Sequence, residues 1–395
     1  VHAQGGHGYS FEPPARAAKC DWLKSGVLDS GSAGPRNGSQ TYMIPAGPAT
    51  LQHAIEPTPP TPNWRQAWRD AVRDPRELLA MLGLVALAAD ISDAAAAQFP
   101  LRVPRGFVAR MRHGDPHDPL LRQVLPILDE ERIVPGFGLD AVGDEVARRG
   151  GGVIHKYNGR ALLIATGSCA VHCRYCFRRH YPYAEDTAAA AGWQEAVALI
   201  AGDPSIHEVI LSGGDPLSLA DHKLAELTDA LRGIPHLRRL RLHTRLPIVL
   251  PERVDAGLLA WLRGLPWPVA VVVHANHANE FDAAVDAAMA ALHEAGATLL
   301  NQAVLLRGVN DSVDALAALC ERGYRAGVLP YYLHQLDRVA GAAHFEVEDA
   351  RALALHAGLA ARLPGYLVPK LVREVAGEPG KTPLASLGSG IPAME

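Results

Sequence analysis

Three cysteines lie within eight positions of the chain, in the run Cys169-Ala-Val-His-Cys173-Arg-Tyr-Cys176. Cysteine thiolates are the usual ligands of iron–sulfur clusters, and a cubane cluster contains four irons. Three thiolates would leave one iron open to bind something else, whereas a simple electron-transfer ferredoxin usually supplies four cysteines. A structural zinc site is the alternative, because His172 lies inside this loop and His180 just beyond it.

A glycine-rich turn forms a second candidate group, Ser212-Gly213-Gly214-Asp215. Two glycines allow a ligand to approach the backbone closely, and Asp215 adds a carboxylate. Gly-Gly also marks ordinary tight turns, so this pattern alone leaves both readings open. Polar side chains concentrated near later strand ends favour a binding site over isolated caps, namely His274, Asn276 and Gln302.

Lys381 stands in a loop rich in glycine and proline, after a segment readable as a strand, Tyr366–Val372. A lysine that forms a Schiff base must be free to reach an aldehyde and needs surroundings that lower its pKa. The glycine- and proline-rich loop would give Lys381 the freedom to reach an aldehyde. Without that context, an isolated lysine would be interpreted as a surface charge.

The elements that must position these groups alternate between strands and helices from about residue 160 onward. The predicted strands are Leu162–Thr166, Glu208–Ser212, Leu240–Thr244, Val269–His274, Thr298–Leu305 and Gly327–Leu333. The predicted helices between them are Trp193–Ile200, Ala220–Leu231, Val254–Leu262, Phe281–His293 and Val313–Arg325. This repetition predicts a parallel sheet with crossover helices, and six strands predict an open or partial barrel. Functional residues of such folds gather where strands end.

Four segments are expected along the chain. Residues 1–62 are rich in Gly, Ser, Ala and Pro and are interpreted as a disordered extension or a misplaced start. Residues 63–150 are predicted to form a helical N-terminal region, in which Trp64, Trp68 and Val72 make one apolar stripe. The barrel is expected over 151–345, and a C-terminal segment carrying Lys381 over 346–395.

Composition excludes several classes of protein. The formal net charge of −4 gives no basic footprint for nucleic acid. No apolar run reaches the ~18 residues of a membrane span, and the N-terminus lacks the layout of a secretory signal. Five cysteines, three of them crowded together, do not resemble a disulfide framework, so a reducing, cytoplasmic location is expected.

Together the motifs resemble the lysine 2,3-aminomutase family of radical S-adenosylmethionine (SAM) enzymes. The likeness is greatest to its short branch, which forms (R)-β-lysine for elongation factor P (the EpmB branch). The cysteine spacing alone resembles the whole radical SAM superfamily. The narrower resemblance runs from about Trp64 to Pro383 and rests on Leu101–Arg105, Asp118–Gln123, Cys169–Tyr183, Ser212–Leu217, His274–Glu280, Asn301–Asp311, Pro330–Phe345 and Leu367–Pro383.

The resemblance implies an α/β fold, a partial (β/α)6 radical SAM barrel with a helical N-terminal region and a short C-terminal segment for the lysine that carries pyridoxal 5′-phosphate (PLP). It implies a [4Fe–4S] cluster on Cys169, Cys173 and Cys176, with SAM on the open iron, and PLP on Lys381. The other implied cofactor-binding residues are Lys156, Arg160, Gly213, Gly214, Asp215, His274, Asn276 and Gln302. Lys156 stands where the longer enzymes usually carry arginine.

The resemblance also implies an isomerase that moves the amino group of L-lysine from C2 to C3. Arg178 matches the residue that pairs with the substrate carboxylate, a contact suited to the arginine fork. Asp337 matches an acidic residue that receives the ε-ammonium, and Glu374 stands where the longer enzymes have a second aspartate. Only 14 residues follow Lys381 (395 − 381), whereas the longer free-lysine enzymes carry a larger metal-binding tail. That difference favours the short branch.

The implied partners are L-lysine, elongation factor P with its lysine ligase, and an electron donor of the flavodoxin or ferredoxin type. A homo-oligomer is compatible with the resemblance, and neither nucleic acid nor a membrane is expected. One alternative is a free-lysine or glutamate aminomutase of a secondary pathway, although Asp337 would repel the second carboxylate of glutamate. The other is a non-catalytic iron–sulfur or zinc protein.

Overall fold

The computed structural model describes residues 63–183, 187–188 and 193–387. Residues 1–62, for which disorder is predicted, lie outside the described residues. The N-terminal region is helical as predicted, with α1 (Trp64–Arg69), α2 (Pro75–Met81), α3 (Asp93–Gln98), α4 (Arg105–Val108) and α5 (Pro119–Arg122).

The predicted apolar stripe spans more than one element. The Asn63 side chain accepts a hydrogen bond from the backbone N–H of Arg65 and caps α1. Trp64 is buried and Trp68 packs against the core from α1. Val72 lies beyond the end of the helix, where its backbone forms an antiparallel bridge with Val103. The stripe therefore continues into an extended residue that joins two parts of the N-terminal region.

A nine-stranded sheet follows in simple sequential order. Its strands are β1 (Val153–Tyr157), β2 (Arg160–Thr166), β3 (Glu208–Gly213), β4 (Arg239–Thr244), β5 (Val269–Val273), β6 (Thr298–Val304), β7 (Leu329–His334), β8 (Lys370–Arg373) and β9 (Thr382–Pro383). Strands β2 to β8 are parallel to their neighbours, whereas β1 and β9 pair antiparallel at the two ends. The six predicted strands correspond to β2–β7, and the partial barrel is confirmed.

The helices that connect the parallel strands complete the fold. They are α6 (Gln194–Gly202), α7 (Asp221–Arg232), α8 (Leu246–Val249), α9 (Ala256–Arg263), α10 (Ala283–Glu294) and α11 (Val313–Arg325). After β7 the chain forms α12 (Asp349–Arg362), and after β9 it forms α13 (Leu384–Leu387). Every residue of β3 is buried, as expected for a parallel strand covered on both faces.

The N-terminal region holds the cysteine loop through a buried ion cluster. Glu130 accepts two hydrogen bonds from Arg174, at 2.8 Å from Nε and 2.6 Å from Nη2. Arg179 donates to the same carboxylate at 2.8 Å, and all three side chains are at most 1 % exposed. Arg174 also donates to the backbone carbonyls of Phe99 and Ala95. The loop between β2 and α6 is therefore tied to residues that precede the barrel by many positions.

Replacing Glu130 with Gln is expected to destabilise the protein by about 3–5 kcal/mol, because two buried guanidinium groups lose their only carboxylate within the cluster. The change should lower the urea midpoint of the intact protein, followed by circular dichroism. The matched control is Asp129→Asn, which alters an exposed carboxylate one residue earlier and should cost under about 0.5 kcal/mol. Equal midpoints for the two variants would contradict this account of the loop.

Candidate active site

One cavity of about 330 Å³ opens at the carboxyl ends of the parallel strands. The loop after β2 places Cys169, Cys173 and Cys176 on its wall, and the loop between β8 and β9 brings Lys381 to the same space. The predicted cluster ligands and the predicted PLP lysine are more than 200 residues apart in the chain. They nevertheless line the same cavity. Of the other predicted site residues, all line the cavity except Asn276.

The three cysteines suit a multi-iron cluster better than a single ion. Among the described residues, no three His, Cys, Asp or Glu side chains converge on a point that could hold one metal ion. A tetrahedral zinc site needs such convergence, whereas the thiolates of a cluster bind different irons. Burial and the neighbouring thiolates raise the pKa of Cys169 well above its usual value and that of Cys176 to about 11.

Arg245 is part of the cavity wall and holds the cysteine loop through several contacts. One terminal nitrogen lies 2.7 Å from the Cys173 sulfur and 2.6 Å from the Tyr175 hydroxyl. The other donates to Gln123 at 2.8 Å and to Glu280 at 2.9 Å. Because Glu280 is fully buried, its pairing with Arg245 satisfies both charges and links the ends of β4 and β5 to the cysteine loop.

Asn276 belongs to this polar network and not to the cavity surface. Its amide donates to Gln123 at 3.0 Å and to Tyr175 at 2.7 Å, and its carbonyl oxygen accepts from the Val304 backbone at 2.8 Å. The side chain is fully buried, so its position fits support of the wall and not direct contact with a cofactor. His274 does face the cavity, stacked on the Tyr175 ring, and burial lowers the pKa of His274 to about 3.

The glycine turn after β3 lies against the cysteine loop. Gly213 has φ +116°, and a Cβ there would stand 2.5 Å from the carbonyl oxygen of Thr166. A Cβ on Gly214 would stand 2.5 Å from the carbonyl oxygen of Ser168. Both positions therefore require glycine, so that the backbone of the turn can pack directly on the backbone that leads into the cysteines.

Asp215 is directed toward the protein. Its carboxylate accepts hydrogen bonds from the Thr244 hydroxyl and from the backbone N–H groups of Arg245, Leu246 and Leu217, at 2.7–3.1 Å. Burial raises the pKa of Asp215 to about 6. With four donors already bound, Asp215 joins the ends of β3 and β4, a different task from the ligand contact that the resemblance implies.

Two carboxylates stand near Lys381 in different states. Glu374 pairs with the Lys381 ammonium and accepts a hydrogen bond from the Tyr157 hydroxyl at 2.5 Å. The Asp337 carboxylate has no hydrogen-bond or ion-pair partner among the described residues, and burial raises its pKa to about 7. Asp337 is therefore the acidic group that lacks a cation within bonding distance.

The predicted basic residues also differ from one another. Lys156 donates to the Val142 carbonyl at 2.7 Å and lies 2.6 Å from the Asp144 carboxylate, so its charge is already balanced. Arg160 stacks on the Tyr157 ring with 4.5 Å from the guanidinium carbon to the ring centre. It makes no ion pair among the described residues and is the freer cation for a phosphate group.

Arg178 is held in place by two contacts. Its Nε donates to Asp144 at 2.7 Å and one terminal nitrogen donates to the Ser212 hydroxyl at 3.2 Å. The guanidinium also lies over the Phe177 ring. These contacts leave further N–H groups of the fork able to bind a carboxylate.

Sequence reasoning missed the residues that support the site from outside the strand–helix pattern. Asp144 and Tyr157 carry no spacing signal, and Asp144 lies in a stretch without readable periodicity. Gln123 and Glu280 lie in segments that carry the family resemblance, and that likeness was the signal available for them.

No helix in the part of the chain that the structure describes is long and apolar enough to cross a membrane. No protein-family model matches the chain. Two solved structures show limited similarity. A radical SAM methyltransferase from Sphaerobacter thermophilus has a TM-score of 0.37 and 18% identity, covering 57% of this chain and 71% of that one. The protein anSMEcpe with bound AdoMet and a peptide has a TM-score of 0.38 and 11% identity, covering 50% of this chain and 57% of that one.

Curated relatives give much greater similarity. The chain is 49% identical to an L-lysine 2,3-aminomutase of Escherichia coli, over 83% of this chain and 96% of that protein. It is 45% identical to the enzyme of that name from Haemophilus influenzae, over 81% of this chain and 95% of the relative. A relative from Clostridium subterminale is 34% identical over 68% of this chain and 65% of its own length. The chain belongs to the lysine 2,3-aminomutase family of radical SAM isomerases.

Proposed function

We propose that this enzyme converts L-α-lysine to (R)-β-lysine by moving the amino group from C2 to C3, and that the product serves β-lysylation of elongation factor P. The observation that carries the proposal is the shared cavity, in which a three-cysteine loop and Lys381 lie together with Arg178 and the unpaired Asp337. The first part rests on this combination and on family membership. The destination of the product rests on the likeness of the motifs to the short branch of the family.

The cofactors of the family are a [4Fe–4S] cluster, SAM and PLP. We propose that Cys169, Cys173 and Cys176 hold the cluster. SAM would lie along the wall formed by the glycine turn, His274 and Gln302, with Asp215 joining the strand ends within that wall and Asn276 supporting it from behind. Lys381 would hold PLP, with Arg160 and Lys156 on the phosphate side. When bound, these groups supply a carbon-centred radical for hydrogen abstraction and a π-system that spreads the unpaired electron.

The chain itself supplies placement of the substrate. Arg178 would bind the α-carboxylate through N–H groups that Asp144 and Ser212 leave free. Asp337 would bind the ε-ammonium, because the negative charge of this unpaired carboxylate attracts the positive charge of the ammonium. Holding lysine at both ends fixes C2 and C3 in the cavity, and orientation of this kind accounts for a large share of many enzymatic rates.

Glu374 is proposed as the second carboxylate for the ε-ammonium. In this structure it pairs with Lys381 and lies 3.6 Å from the Lys156 nitrogen. It therefore becomes available to the substrate only when the nitrogen of Lys381 is engaged elsewhere. Asp337, when ionised, is the carboxylate that has no cation to release before it binds substrate.

The proposed activity predicts that anaerobically purified enzyme, given L-lysine, SAM, PLP and a reductant, forms β-lysine of the R configuration. Chiral chromatography of the product measures both identity and configuration. L-Glutamate should give no product, because Asp337 repels a second carboxylate. The β-lysine should then be a substrate for the ligase that acts on elongation factor P. A fully loaded enzyme that forms no β-lysine would reject the activity, and a product that the ligase refuses would reject only the destination.

Replacing Lys381 with Ala should abolish turnover and remove the visible absorbance of lysine-bound PLP, because Lys156, the other lysine on the described cavity wall, is paired with Asp144. The iron content and the cluster absorbance should stay as in the unaltered enzyme. Lys370→Ala is the control, since Lys370 is exposed on β8 and should retain activity and the PLP spectrum. Retention of the PLP spectrum in the Lys381 variant would assign the cofactor to another residue.

The pH dependence of kcat/KM for lysine should contain an acid limb with a pKa of about 7, because Asp337 binds an ammonium only as a carboxylate. Below that pH kcat/KM should fall about tenfold per pH unit, and above it the limb should level off. The charged groups that act on Asp337 are Lys381, Glu374, Lys156 and Asp144.

Asp337→Asn should remove this limb and lower kcat/KM at pH 8 by about 30-fold or more, the usual cost of losing one partner of a buried charge pair. An unchanged acid limb in the variant would assign the titration to another group.

A further inference from the structure

A stretch that showed no chemical pattern in the sequence contributes Val142 and Asp144 to the cavity wall. We call residues 138–144 the wall segment. Gly138 donates its backbone N–H to the Arg338 carbonyl at 3.0 Å and accepts from Ala340 at 2.8 Å. At the other end of the segment, a Cβ on Gly143 would lie 2.9 Å from the Cβ of Ala376. The segment thus contacts the loop that carries Asp337 and the loop that leads to Lys381.

Asp144 ends this segment and points into the cavity between two cations. One carboxylate oxygen accepts from Arg178 Nε at 2.7 Å, and the other lies 2.6 Å from the Lys156 nitrogen. The Asp144 side chain is 4 % exposed. Burial alone would raise the pKa of Asp144, but Arg178 and Lys156 hold it below its usual value, so the group stays a carboxylate.

These contacts form a continuous row of alternating charges. Arg178 is followed by Asp144, then by Lys156, and Lys156 lies 3.6 Å from Glu374, which pairs with Lys381. The row contains three cations and two carboxylates, and each carboxylate lies between two cations, which offsets part of the cost of burying the charges. The row joins the proposed carboxylate end of the substrate site to the proposed PLP lysine through Asp144.

We propose that Asp144 is a positioning residue for the reaction, orienting the Arg178 fork toward the substrate carboxylate and fixing Lys156 on the Lys381 side. The proposal rests on the proposed function, because it needs Arg178 to bind that carboxylate. Asp144 holds Nε, on one side of the planar guanidinium, while the Phe177 ring lies along its face. These two contacts fix the plane of the guanidinium, and a fixed plane is what two parallel bonds to a carboxylate require.

The test compares two ligands that differ only in the group that Arg178 would bind. L-Lysine carries the carboxylate, and 1,5-diaminopentane is the same molecule without it. Their binding is measured by titrating enzyme that holds cluster, PLP and SAM but no reductant, following the change in PLP absorbance. This readout does not depend on turnover.

Asp144→Asn should weaken binding of L-lysine by about tenfold, whereas binding of 1,5-diaminopentane should change less than about twofold. Asp144→Glu keeps the charge and should restore lysine binding to within about threefold. Glu145→Gln is the matched control, since Glu145 is exposed beside Asp144 and should leave both affinities unchanged.

The outcomes distinguish the proposed carboxylate contact of Arg178 from the proposed positioning role of Asp144. If the unaltered enzyme binds both ligands equally, the proposed carboxylate contact of Arg178 is wrong, and the role of Asp144 falls with it. If the unaltered enzyme prefers lysine and Asp144→Asn keeps that preference, the positioning role alone is overturned. Parallel losses for both ligands, together with a lower urea midpoint, would also overturn it by showing a purely structural role.

Discussion

The burial of Glu130 between Arg174 and Arg179 is the constraint on which the position of the cysteine loop depends. Both arginines belong to the loop itself, directly after Cys173 and shortly after Cys176. Their charges can be buried only beside a carboxylate, and that carboxylate comes from the region before the barrel. The N-terminal region is therefore part of the site, because its Glu130 carboxylate fixes the cysteine loop.

A second network performs the same task from the other side. Arg245, at the end of β4, contacts Cys173, Tyr175, Gln123 and Glu280 at once. The cysteine loop is thus held between a cluster from the N-terminal region and a network from the strand ends. The charged row from Arg178 to Lys381 lines the same cavity, so three sets of charged side chains define one site.

The regular part of the fold could be predicted from the sequence because it depends on local pattern. Strands β2–β7 follow apolar runs, and α11 has the bounds that its amphipathic spacing predicts. Helix α12 was not predicted, although it packs on α11 and carries three buried residues on one face. The site residues that follow strands were found because strand ends converge.

The residues that the sequence did not reveal act through contacts distant in the chain. Asp144 meets Arg178 across 34 positions, and Tyr157 meets Glu374 across 217. Asn276 was assigned to the cavity from its place after β5, but its side chain turns toward Gln123 and Tyr175. The direction in which a side chain leaves a strand end depends on neighbours that only the fold brings together.

The contact between the glycine turn and the cysteine loop makes tolerance to substitution uneven around the cavity. At wall residues such as Arg245 or Arg178, a shorter side chain removes the contacts that this side chain makes and adds no atom against the main chain. At Gly213 and Gly214, any added carbon meets a carbonyl oxygen at 2.5 Å, so the two backbones must separate. A single methyl group at either position would displace two loops together, and evolution of new specificity within this barrel must leave that junction unaltered.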